Sequence, residues 1–144
     1  MEKIILSTKL KDILITDCYL SQGSFPLIFE NSSLKEALDE MDKFKLGVAI
    51  IINKDRHLLG ILTDGDIRRT LIKNQKPLSA SLVDDALIYS VDKPKYINHD
   101  VSLIKAIEFM NKNQIWDLPV IKNKSVLGLL HMHSAIKKLI SNYE

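Results

Sequence analysis

Leu34-Lys35-Glu36-Ala37-Leu38-Asp39-Glu40-Met41 decides the fold, because it returns as Leu103-Ile104-Lys105-Ala106-Ile107-Glu108-Phe109-Met110 at an offset of 69 residues. Leucine, alanine and methionine recur in register, and Leu38 matches Ile107. Downstream, Leu59-Gly60-Ile61-Leu62 returns as Leu127-Gly128-Leu129-Leu130 at an offset of 68, which a one-residue deletion in the intervening loop explains. Upstream, Leu10-Lys11-Asp12 echoes Leu82-Val83-Asp84, and Pro26 precedes one short apolar stretch as Pro94 precedes another. Such a period sets the number of structural units before any motif is read. The expected organisation is a first repeat over residues 1–71 with its N-terminal lead-in, a polar connector over 72–80, and a second repeat over 81–144.

Both repeats carry the same local signals in the same order. Ser33 with Glu36 reads as a capping box, and Leu34, Ala37, Leu38 and Met41 follow at helical spacing. In the second repeat Asp100 is the expected cap, before Leu103, Ala106, Ile107 and Met110. Two apolar runs joined by a polar turn then read as a hairpin, Val48 to Ile52 with Leu58 to Leu62, and Leu118 to Ile121 with Val126 to Leu130. Closing helices are expected near Asp64 and near His133, and short leading strands at Leu27 to Phe29 and Tyr96-Ile97. The pattern is β-α-β-β-α, twice. A unit this small buries too little surface by itself, so the expectation is an α+β fold in which the two repeats pack sheet to sheet with pseudo-two-fold symmetry.

Composition narrows the function classes. The 144 residues are 46% hydrophobic and 26% charged, as in an ordinary globular domain. Twenty basic against eighteen acidic residues leave +2, which gives no footprint for nucleic acid. No apolar run is long enough to span a bilayer, so no membrane role is expected. The start, Met1-Glu2-Lys3-Ile4-Ile5-Leu6, lacks the apolar core of a signal peptide, and the expectation is a cytoplasmic protein. Cys18 is alone, which excludes an intrachain disulfide and a cysteine-based zinc site. No GxSxG, Walker, HExxH or dinucleotide fingerprint is present, so no catalytic residue is designated.

The candidate binding residues follow the second hairpin strand of each repeat. In Gly60-Ile61-Leu62-Thr63-Asp64-Gly65-Asp66-Ile67-Arg68-Arg69, a strand ending at Thr63 offers a hydroxyl and helix-start amides to an anion such as phosphate. Asp66 can accept two hydrogen bonds, as a ribose diol requires. Gly60 admits a close neighbour, backbone or flat base, and Gly65 relieves the turn. Arg68 and Arg69 can clamp a phosphate or carboxylate. The competing reading is that Thr63 and Asp64 only cap the helix. In the second repeat His131 and Ser134 stand where Thr63 and Asp66 stand in the first, which weakens that pocket for a ribose. His131 and His133 read as two donors on one side of a strand end, facing a ligand anion across the cleft. A metal would need a third ligand that the sequence does not designate. Trp116 reads as packing at the interface between repeats.

The tandem β-α-β-β-α order, with Gly60-Ile61-Leu62-Thr63-Asp64-Gly65-Asp66, resembles a CBS-domain pair, or Bateman module, over nearly the whole chain. Together with His131-Met132-His133, the string is similar to the C-terminal half of bacterial arabinose-5-phosphate isomerases of the KpsF/GutQ type. That resemblance implies a regulatory, non-catalytic module binding a nucleotide or nucleotide-sugar in the cleft between the repeats, with no cofactor required. It implies CMP-Kdo as ligand, with AMP, ADP or ATP as competitors, and a homo-dimer or tetramer. It also implies an N-terminal sugar-isomerase (SIS) domain in a full-length protein that makes the precursor of Kdo for lipopolysaccharide or capsule. The alternatives are the CBS pair of a sugar nucleotidyltransferase, an oligomerisation module with vestigial binding, and an enzyme using the histidines as acid and base.

Overall fold

The computed structural model describes residues 10–143. Its elements are β1 (Leu20–Ser21), β2 (Leu27–Phe29), α1 (Leu34–Phe44), β3 (Val48–Ile52), β4 (Leu58–Thr63), α2 (Asp64–Asn74) and α3 (Leu78–Leu82) in the first half. They continue as β5 (Ile97–Asn98), α4 (Leu103–Asn113), β6 (Asp117–Lys122), β7 (Ser125–His131) and α5 (Met132–Tyr143). Single 3-10 turns lie at Ile15–Asp17 and Ala86–Tyr89. The order β-α-β-β-α therefore appears twice, from β2 to α2 and from β5 to α5, in an α+β fold.

The first unit comprises residues 22–94 with 124–126. Its helix α1 starts at Ser33, whose hydroxyl accepts the Glu36 amide at 3.1 Å while the Glu36 carboxylate accepts the Ser33 amide at 2.7 Å. This reciprocal bond satisfies two amides that a helix start otherwise leaves open. Leu34, Ala37 and Met41, spaced on one face, are buried. The sheet order is β2-β3-β4, with β2 parallel and β4 antiparallel to β3. Ala49, Ile51 and Leu62 turn toward α1 and Ile67 of α2. Val48, Ile50 and Ile52 on the other side of β3 are buried as well, so the central strand is an unbroken apolar run rather than an alternating one.

The second unit comprises, among the described residues, 10–21, 95–123 and 127–143. Its sheet runs β1-β7-β6-β5, with β5 parallel to β6 and β1 antiparallel to β7. Leu103, Ala106 and Met110 of α4 pack with Leu118, Val120 and Leu130 of the hairpin. The expected cap Asp100 is not the cap. Ser102 fills that position, its hydroxyl accepting the Lys105 amide at 3.3 Å. The cap must directly precede the first helical residue, and Ser102 is the 69-residue counterpart of Ser33. Within the connector, α2 continues through Asn74, ends on left-handed Gln75 (φ 51°), and α3 begins after Pro77.

The compact units are not the sequence repeats, because each recruits the lead-in of the other repeat. In the first unit, the Leu34 amide donates to the Asp84 carbonyl at 2.8 Å and the Ala86 amide to Ser32 at 2.8 Å. In the second, the Leu103 amide donates to Ile13 at 2.8 Å and the Ile15 amide to Val101 at 3.4 Å. Tyr89 and Ala86 thereby enter the first core, and Ile15 enters the second. The paired glycines permit this. A β-carbon on Gly60 would lie 2.5 Å from the Ser90 hydroxyl oxygen, and one on Gly128 would lie 2.4 Å from the Leu20 carbonyl oxygen. Gly60 thus receives Ser90 as its close neighbour.

The deletion between the repeats lies in the hairpin turns. Asn53 accepts the Asp55 and His57 amides through its side-chain oxygen, and Arg56 turns left-handed at φ 64°. The second hairpin uses only Asn123 (φ 50°) and Lys124 (φ 68°), a two-residue turn of the type I′ class.

Two stability measurements check this account. Gly128→Ala should cost about 3 kcal/mol in urea unfolding, the upper end for overpacking, because a carbonyl fixed in a strand pair cannot rotate away. Gly60→Ala should cost only about 1 kcal/mol, since the Ser90 hydroxyl can turn; equal losses would contradict the close approach of Leu20. Lys124→Gly should raise stability by about 1 kcal/mol by removing a side chain from a left-handed position. A loss on that substitution would show that the turn is not left-handed there.

Candidate functional site

The end of β4 and the first turn of α2 bring four of the expected residues together. The Asp66 amide donates to the Thr63 hydroxyl oxygen at 3.2 Å, and one Asp66 carboxylate oxygen accepts both the Thr63 amide (3.1 Å) and the Thr63 hydroxyl (2.6 Å). The other carboxylate oxygen accepts from Arg69 Nη2 at 2.8 Å. Asp66 is 16% exposed and Arg69 62% exposed, so the carboxylate is held from inside and its arginine from outside. Gly65 allows this fold-back: a β-carbon there would sit 3.1 Å from the guanidinium nitrogens of Arg69.

This arrangement limits what the site can bind without rearrangement. A carboxylate has about four acceptor positions, and three are in use. One hydrogen bond can be added directly, and the second bond of a diol requires Arg69 to leave. The first-turn amides are also partly committed, Asp64 to the Gly47 carbonyl at 3.1 Å and Asp66 to Thr63. The Asp64 side chain turns elsewhere. With Met41, Asp42, Lys45 and Leu46 it lines an open hollow of about 340 Å³. Arg68 is exposed.

The second unit repeats the backbone frame with other side chains. The Met132 amide donates to the Trp116 carbonyl at 2.8 Å, as Asp64 does to Gly47. Ser134, at the position of Asp66, supplies no carboxylate. Asp117 at the start of β6 does, its Oδ1 lying 2.7 Å from His131 Nδ1. Asp117 is 13% exposed and His131 28% exposed. Burial pushes the Asp117 carboxyl up, while the hydrogen bond and charge of His131 pull it down by less. His133 is not on the strand, as expected, but on the first turn of α5; its ring centroid still lies 6.4 Å from that of His131.

Asp117 was not singled out by sequence reasoning, although a signal existed. Val48 pairs with Thr63 across the first hairpin, and the repeat offset carries that pair onto Asp117 and His131. Trp116, expected as a packing residue, is 70% exposed and lines a hollow of about 220 Å³ with Met110, Gln114, Ile115 and Met132. The two hollows occupy equivalent positions in their units. Among the described residues no group of three or more His, Cys, Asp or Glu side chains is placed to hold a metal, and no helix is long and apolar enough to cross a membrane.

Comparison with known proteins agrees with this duplicated frame. The family described as "CBS domain" matches residues 11–73 and again 84–141. An uncharacterized protein of Helicobacter pylori is 37% identical over 134 residues, covering 92% of this chain and 37% of that protein. A probable arabinose 5-phosphate isomerase of Haemophilus influenzae is 33% identical over 114 residues, covering 78% of this chain and 33% of the isomerase. The chain thus spans about a third of the length of these relatives. Among solved structures, that of CBSX2 in complex with AMP superposes with a TM-score of 0.80 at 16% identity, covering 92% of this chain and 99% of that one. With both repeats matched and the strand–helix frame present twice, the chain belongs to the CBS-domain family.

Proposed function

We propose that the chain is a regulatory nucleotide-binding module, and that the Thr63–Asp66–Arg69 cluster is its principal ligand contact. The observation that carries this reading is a nearly buried carboxylate whose one outward partner is a surface arginine. A nucleotide presents both groups that such a pair can take. Its ribose hydroxyls donate to Asp66, and its phosphate draws Arg69 off the carboxylate into a charge-assisted bond. The solved neighbour that holds AMP makes an adenine nucleotide the first ligand to try. The resemblance stated from the sequence adds CMP-Kdo, a nucleotide-sugar, as the competitor, and the isomerase relative suggests control of an attached sugar-phosphate isomerase as the biological outcome.

The chemistry of such an isomerase is proton abstraction beside a carbonyl, which by resemblance belongs to a SIS domain and not to these 144 residues. The purified chain should therefore show no arabinose-5-phosphate isomerase turnover; activity above a mock preparation, lost on substitution of His131 or His133, would overturn the regulatory reading.

Isothermal titration with AMP, ADP, ATP, CMP and CMP-Kdo tests the binding itself. Asp66→Ala should weaken the bound nucleotide by roughly 1.5–3 kcal/mol, about 10- to 150-fold. It also removes half of a capping box, at about 1 kcal/mol of stability, so Asp66→Asn serves as the variant that keeps a cap and loses the charge. Thr63→Val should cost about 1 kcal/mol in affinity, and Ser134→Ala hardly anything. Binding abolished by Ser134→Ala and untouched by Asp66→Ala would place the principal site in the other unit.

A further inference from the structure

We propose that Arg69 is an intramolecular competitor for the Asp66 carboxylate, and that this contact makes the first unit select phosphorylated nucleosides over uncharged ones. The role rests on the nucleotide-binding reading above for the identity of the ligand, and deepens it. Asp66 has one carboxylate oxygen that is full and one that is contested. The first accepts the Thr63 amide at 3.1 Å and the Thr63 hydroxyl at 2.6 Å, which uses both of its lone pairs. The second accepts from Arg69 Nη2 at 2.8 Å and has one lone pair left. A ribose diol brings two donors, so it needs the whole of the second oxygen. Arg69 stands in its place.

Of the two partners of Asp66, Arg69 is the one that can yield. Its side chain is 62% exposed, against 16% for Asp66, so it has solvent to move into. It holds the carboxylate through one nitrogen, from three residues further along α2. The guanidinium lies over Gly65, where a β-carbon would be 3.1 Å from both Nη atoms, so the bare first turn of the helix leaves room for it. The Thr63 bonds, by contrast, close the capping box of α2 and do not involve Arg69.

The consequence depends on the charge of the ligand. Adenosine must break the Arg69–Asp66 pair to seat both hydroxyls, and it offers the freed guanidinium nothing in return. AMP breaks the same pair and gives the guanidinium a phosphate, which takes it in a charge-assisted bond. An exposed ion pair of this kind is worth a factor of about 1.5–5 in an equilibrium constant. The phosphate bond is worth about 10- to 150-fold. Salt separates the two ligands by sign, because screening weakens both the resting pair and the phosphate bond. Adenosine affinity rises with ionic strength as its competitor is screened, whereas AMP affinity falls.

The test is isothermal titration of the whole chain and of Arg69→Ala with adenosine and with AMP, each at low and at high salt. Removing the guanidinium should tighten adenosine by about 1.5- to 5-fold and weaken AMP, lowering the ratio of AMP to adenosine affinity by about 10- to 150-fold. The rise of adenosine affinity with salt should be present in the unsubstituted chain and absent from Arg69→Ala. Arg69→Gln, of similar reach and uncharged, should move both affinities in the same directions, and it carries the test if Arg69→Ala does not fold. AMP binding that needs Asp66, with adenosine no tighter in either Arg69 variant, overturns this proposal and leaves the nucleotide reading intact. AMP binding unmoved by either Arg69 variant also overturns it, and removes Arg69 from the ligand contact. No binding of either ligand, or AMP binding untouched by Asp66→Ala, overturns the nucleotide reading and this proposal with it.

Discussion

The first helix of each unit, α1 or α4, is closed at its start by backbone from the lead-in of the other repeat, and the rest of the architecture depends on that exchange. The amides of Leu34 and Leu103, first residues of α1 and α4, donate to the carbonyls of Asp84 and Ile13. Those donors would otherwise be among the orphans of a helix N-terminus, and the same segments bring Tyr89 and Ile15 into the two cores. A fully buried side chain of this size contributes about 1.5–3 kcal/mol, a large share of what a small unit has to spare. Neither repeat, cut at its sequence boundary, keeps the segment that completes its core. Gly60 and Gly128 are the points at which this recruitment is sterically permitted.

On that shared frame the two units carry different chemistry. A strand ends, a helix starts, and one backbone amide of the helix start returns to the residue before the neighbouring strand, Gly47 or Trp116. The first unit then closes a Thr63–Asp66 box and ties it to Arg69. The second has no box, and sets Asp117 against His131 instead. A carboxylate lost from the helix is supplied from the adjacent strand. The outcome is one strand end where a carboxylate faces an arginine and another where a carboxylate faces an imidazole.

The committed hydrogen bonds also change how the motif should be understood. Thr63 does cap α2, as the competing reading of the sequence held, but its partner in the cap is Asp66 rather than Asp64. Asp66 retains acceptor capacity, and its most exposed partner is the group a phosphate would attract. The capping interaction holds the carboxylate in a fixed orientation, with one oxygen toward Thr63 and the other toward Arg69.

The duplicated β-α-β-β-α order was legible in the sequence because periodicity and turn chemistry are local. Leu34, Ala37 and Met41 lie on one helical face wherever the helix is placed, and Val48 to Ile52, short, apolar and followed by a polar turn, reads as a buried strand. The Thr63–Asp66 cluster was legible for the same reason, being confined to residues three apart. Tertiary structure alone decided which segments complete which core, since the bonds from Leu34 to Asp84 and from Leu103 to Ile13 join residues 50 and 90 positions apart. It alone decided that Ser90 fills the space beside Gly60 and that Trp116 stays at the surface. Those outcomes depend on what chain passes nearby in three dimensions, which spacing along one strand or one helix does not encode.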